Sequence, residues 1–97
     1  MEGTTKQVEW AEKIKDSVLK RIEEIIPIYI KHGWAGKAEV LQIGLKHLEN
    51  YKQAQEAEWW INKKDFKPAH WESLIENLVP LREREAIYKQ HKEAHIF

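Results

Sequence analysis

Six apolar residues, Val8, Ala11, Ile14, Val18, Ile22 and Ile25, follow one another at intervals of three and four. Side chains so spaced share one face of a helix, not of a strand, where the repeat is two. The spacing predicts a helix long enough to organise a whole small domain. Thr4 or Thr5 is its expected N-cap, because a hydroxyl there accepts from the orphan amides of the first turn. Trp10 widens the buried face. Pro27 lacks an amide hydrogen and clashes with the carbonyl four residues back, so a kink or change of character is expected there, with Gly33 ending the helix.

The same reasoning continues along the chain. Trp34 falls in the short connection after Gly33, where its large apolar area suits the corner between two helices. Ala38, Leu41, Leu45 and Leu48 recur at helical spacing in a second long segment over 37–64, and Gly44 within it offers close approach to a neighbouring helix. Whether that segment runs unbroken through Asn50 or restarts near Gln53 stays open. Lys67-Pro68 opens a further helix, since proline is tolerated in a first turn. Trp71, Leu74, Ile75 and Leu78 form its apolar stripe. Pro80 separates it from a last helix over 81–95, whose apolar content is thin: Leu81, Ala86, Ile87, Tyr88 and Ala94.

No strand alternation, repeat or long linker interrupts this pattern, so the expected fold is all-α, an antiparallel bundle of four to five helices. A chain of 97 residues has room for one hydrophobic core. The expected organisation is a single helical domain over 1–97, with a core at 4–64 and an appended helical region at 66–97.

Sixteen basic and sixteen acidic residues give a formal net charge of zero. That disfavours the summed positive field of proteins that coat phosphate backbones. Lys13, Lys15, Lys20 and Arg21 make a local basic strip, expected to be a solvated face laced with i,i+4 ion pairs. No apolar run approaches the length of a membrane span, the N-terminal residues lack an apolar leader, and there is no cysteine. A cytoplasmic protein without membrane association is expected.

Little in the sequence suggests catalysis. Ser17 and Ser73 both fall inside expected helices, away from any sharp turn that would present a nucleophile. Paired carboxylates such as Glu23 with Glu24 and Glu83 with Glu85 stand in charged runs that normally face water. His91 and His95 are four apart, a spacing that puts two imidazoles on one helix face, but no third ligand accompanies them. Neither enzymatic activity nor a cofactor or metal is expected.

Five tryptophans are the unusual feature. Trp59 and Trp60 are adjacent, and a turn of about 100° per residue keeps both from pointing into the same core face. Trp60 is expected to be buried and Trp59 to lie at the core margin or on the surface. An exposed tryptophan is a candidate anchor for a partner, by burial at an interface or by stacking on a base.

Two stretches, Gly3-Thr4-Thr5-Lys6-Gln7-Val8-Glu9-Trp10-Ala11-Glu12-Lys13-Ile14 and Ala57-Glu58-Trp59-Trp60-Ile61-Asn62, resemble an uncharacterised small helical domain of bacterial, plasmid and phage proteins. The resemblance implies a helical domain often met on mobile elements, and it carries no activity with it. It leaves residues 66–97 unexplained.

The function expected from these features is that of a non-enzymatic interaction protein, encoded by a phage or mobile element, that occupies the surface of a host macromolecule such as a CRISPR nuclease. The candidate partner-binding residues are Trp59, Arg82, Arg84, Tyr88 and His91. The alternative is a nucleic-acid-binding accessory protein with an aromatic and basic face drawn from Lys63, Lys64 and Lys67. The thin apolar face of the last helix also admits a homodimer.

Overall fold

The computed structural model describes residues 1–92, which form an all-α fold of five helices. Helix α1 spans Thr5–Lys31, α2 Ala35–Glu49, α3 Ala57–Ile61, α4 Pro68–Asn77 and α5 Leu81–Gln90. A 3₁₀ turn at Lys52–Gln55 separates α2 from α3, so the second long segment breaks at Asn50 and restarts.

Thr4 caps α1. Its Oγ1 accepts from the Gln7 amide at 3.2 Å, and the Gln7 side chain accepts from the Thr4 amide at 3.0 Å, which satisfies two orphan donors reciprocally. Just upstream, Glu2 donates to the Gln55 carbonyl and accepts from the Ala57 amide, each at 2.7 Å, fastening the N-terminus to the start of α3. Gly3 has φ +144° there, and a Cβ on it would come within 3.0 Å of the Ala57 methyl. Much of the opening motif therefore has a structural role: Gly3 for close approach, Thr4 and Gln7 for the cap, and Ala11 for the core, where it is fully buried.

Helix α1 continues past Pro27 to Lys31, further than the proline alone suggests. Pro27 and Glu23, whose carbonyl loses its amide partner, are both exposed, so water is at hand to replace the missing bond. The helix ends at Gly33, which takes φ +82°. The Gly33 amide donates to Ile30 and the Trp34 amide to Tyr29, the paired bonds of a left-handed helix stop. Trp34 packs its ring on Tyr29 at 5.6 Å between centroids but stays 46% exposed. It braces the turn and does not plug the corner as expected, because the Schellman bond ties it to its own helix.

The main core joins α1, α2, α3 and α4 through Ala11, Ile22, Leu41, Trp60, Trp71 and Ile75. A smaller cluster of Val40, Val79, Ile87 and Tyr88 fixes α5 to α2. The last helix therefore has an internal partner for its thin apolar stripe, while Leu81 and Ala86 are exposed. It ends at Gln90, short of the expected 95. At Gly44 the backbone of α4 comes so close that a Cβ would meet the Ile75 carbonyl oxygen at 2.3 Å, which bears out the close-approach role.

Candidate functional site

Aromatic side chains from three segments meet beside α4. The Trp60 indole is fully buried, donates to the Ala54 carbonyl at 2.8 Å and stacks on Trp71 with centroids 5.5 Å apart. Trp59 sets its edge against Tyr51, Trp60 and Trp71, and remains half-buried at the core margin. The split between the two neighbouring tryptophans is the one expected from helical rotation. Phe66, 38% exposed, closes the cluster against Trp71.

Phe66 stands between two surface grooves. The larger, about 850 Å³, is bounded by Trp59, Lys63, Asp65, His70 and Asn77, a lining of mixed charge. Lys63 lies over the Trp59 ring at 4.1 Å, and burial against it pulls the ammonium pKa below its ordinary value. The smaller, about 430 Å³, runs between α1 and the α3–α4 connection, with Ile14, Val18, Ile22 and Trp71 as its apolar wall. Trp10, 46% exposed, borders it together with Lys13, Arg21 and Lys64, and among the described residues no carboxylate lines it. The Lys64 ammonium lies 5.4 Å from the Trp10 ring centroid.

The basic strip on α1 is exposed at Lys13, Lys20 and Arg21, as expected of a solvated face, but the i,i+4 ion pairs expected along it are not among those of the described residues. Among the described residues the salt bridges are Lys37 with Glu76 and His91 with Glu39, both between helices. Lys13 and Arg21 instead lie two helical turns apart along the groove, with Ser17 between them.

The five candidate contact residues do not form one patch. Trp59 borders the larger groove, and Arg84 donates to Asn77 Oδ1, on the same groove, at 3.2 Å. Arg82 is exposed on α5, and His91 Nε2 lies 3.0 Å from Glu39 Oε2 on α2. Tyr88 is 2% exposed, which removes it from any contact surface; its ring serves the cluster that holds α5 to α2. The sparse apolar content of the last helix makes Tyr88 a candidate contact residue in the sequence, whereas that same scarcity commits it to the core. His95 lies outside the described residues, among which no group of three potential metal ligands occurs.

One polar cluster was not expected. Tyr29 donates to Glu72, and the Lys37 ammonium bonds Glu76 Oε1 at 2.6 Å while lying 5.3 Å from the Tyr29 ring centroid. Burial first, then the Glu72 hydrogen bond and the charges of Glu72 and Glu76, hold the Tyr29 hydroxyl well above the usual phenol range. None of these four residues lines either groove, so the cluster ties α1, α2 and α4 together. Its only trace in the sequence is the i,i+4 spacing of Glu72 and Glu76 around Ile75.

In comparisons of the chain with protein-family models, with curated proteins and with solved structures, nothing matches.

Proposed function

We propose that this chain is a small binding module that acts by occupying another macromolecule through the groove between α1 and the α3–α4 connection, and that it transforms no substrate. The observation that carries this reading is the setting of Trp10. A half-exposed indole stands beside Lys13, Arg21 and Lys64, over an apolar wall, in a groove to which no acid among the described residues contributes. Tryptophan and arginine are the residues most enriched where binding energy concentrates, and an aromatic ring left half in water gains most by being covered. The ring is 46% exposed, unlike the buried Ala11 and the capping pair Thr4 and Gln7 around it. An inhibitor of a host defence nuclease, carried on a mobile element, is one protein that works by such occupancy.

The test is affinity capture from bacterial lysate with the wild type and a Trp10→Ala/Arg21→Glu variant, with bound protein and nucleic acid both quantified. Material held by the wild type and released by the variant supports the groove as the contact face. Equal retention by both proteins, or none by either, rejects it.

A further inference from the structure

Three cations and two half-exposed rings line one groove, and from this we infer that its occupant is a segment of single-stranded nucleic acid; the inference rests on the binding reading above and names its ligand. Lys13, Ser17 and Arg21 follow one another at four-residue steps on α1. The helical rise separates each step by about 6 Å along the axis, so a cation, a hydroxyl and a second cation stand in a row. That interval is comparable to the distance between adjacent phosphates of an extended strand. Lys64 adds a third cation over one face of the Trp10 ring, so a base stacked on the other face, or displacing the ammonium to the ring edge, brings its phosphate within reach of that ammonium. Phe66 supplies a second ring on the same groove, and Ile14, Val18 and Ile22 form an apolar wall.

The zero net charge of the whole chain does not oppose this, because among the described residues the groove is lined by three cations and no acid, and Asp65 beside Lys64 lines the larger groove instead. With about 100° between successive residues, Glu9, Glu12, Asp16 and Glu23 lie more than a quarter turn away from Trp10 around α1. Glu24 is the acid on the Trp10 side, and it lines the neighbouring hollow beyond Arg21 and not this groove. A duplex offers phosphates but keeps its base faces stacked inside, which leaves Trp10 and Phe66 without partners. A run of acidic residues in a peptide offers carboxylates but no regular series of ring faces. A single strand supplies both.

The experiment measures fluorescence anisotropy of a labelled oligothymidylate of about 15 nucleotides, a length within the usual single-strand site sizes, with the full chain. A DNA duplex of the same length and a polyglutamate peptide are run alongside. The oligonucleotide is expected to bind, with log K falling against log salt at a slope of about −2, from three phosphate contacts at about −0.7 each. Trp10→Ala weakens binding about tenfold and Trp10→Phe restores most of it. Lys13→Gln/Arg21→Gln reduces the slope to about −0.7. Circular dichroism checks that each variant retains the wild-type helix content. Equal binding of the duplex, no binding of the oligonucleotide, or binding that none of the variants changes overturns the inference. Binding of polyglutamate in place of the oligonucleotide, lost in the same variants, overturns the ligand while leaving the groove as the contact face.

Discussion

Lys37 on α2 and Glu76 on α4 are joined at 2.6 Å with side chains only 15% and 6% exposed, so the two helices are held by an ion pair that water scarcely reaches. The attraction in such a place does little more than offset lost hydration, but removing one partner leaves the other buried and uncompensated. Lys37→Met is expected to lower the unfolding free energy by about 3 kcal/mol, and Lys37→Met/Glu76→Leu to recover most of that loss. Urea denaturation of wild type, single and double variants measures both. Additive losses would remove the pair's coupling from the account.

The phenol of Tyr29, donating to Glu72 in the same cluster, gives stability an alkaline limit. Its folded pKa is raised, so the native state keeps this proton where the unfolded chain, near its ordinary value of 10.0, has lost it. The contribution is complete below that value and is lost as pH rises above it. Tyr29→Phe is expected to cost about 2 kcal/mol at neutral pH through the lost bond to a carboxylate. Above pH 10 its thermal midpoint should fall less steeply than that of the wild type. Parallel curves would show that Tyr29 carries no such linkage.

Two glycines should fail for different reasons. At Gly33 a Cβ has open space but the backbone is left-handed, so Gly33→Ala costs about 1–2 kcal/mol and Gly33→Asn recovers part of it. At Gly44 the obstacle is the α4 backbone, and Gly44→Ala costs about 2–3 kcal/mol. Thermal unfolding of Gly33→Ala, Gly33→Asn, Gly44→Ala and Gly44→Asn separates the cases, since asparagine rescues only the first position.

Two of the five tryptophans mark the extremes of burial relevant here. Trp60→Ala empties the centre of the core and orphans the Ala54 carbonyl, with an expected loss of about 3–5 kcal/mol. Trp10→Ala removes a ring already 46% exposed, and a loss under about 1 kcal/mol is expected. A comparable loss at both positions, measured by denaturant unfolding, would mean that Trp10 is a packing residue and not a surface one.

The features legible in the sequence are those set by local chemistry. The stripe from Val8 to Ile25, the cap at Thr4, the stop at Gly33 and the proline opening α4 each depend on residues within a turn or two of one another. Gly44 was legible too, since a glycine inside a helix calls for a neighbour. The site was less so. Tyr88 was read as a contact residue because α5 carries few apolar groups, but scarcity made each one more necessary to the core. The groove around Trp10 joins α1 to residues some fifty positions later, and helical periodicity says nothing about which chain segment lies opposite. Trp10 itself was assigned to the buried face, since a stripe gives a direction and not the extent of its cover.

The bonds from Glu2 to Gln55 and Ala57 also bear on how the chain is made. During synthesis α1 leaves the ribosome well before the segment that covers Ala11 and pins its first turn. Until Ala57 and Trp60 have emerged, the apolar stripe of α1 has only α2 to rest on, and its N-terminal end is bare. Roughly thirty residues separate the end of α1 from Trp60, so the growing chain holds its longest helix partly uncovered while that stretch is made, and the closure that completes it links residues far apart in sequence, the kind of contact that sets a folding rate.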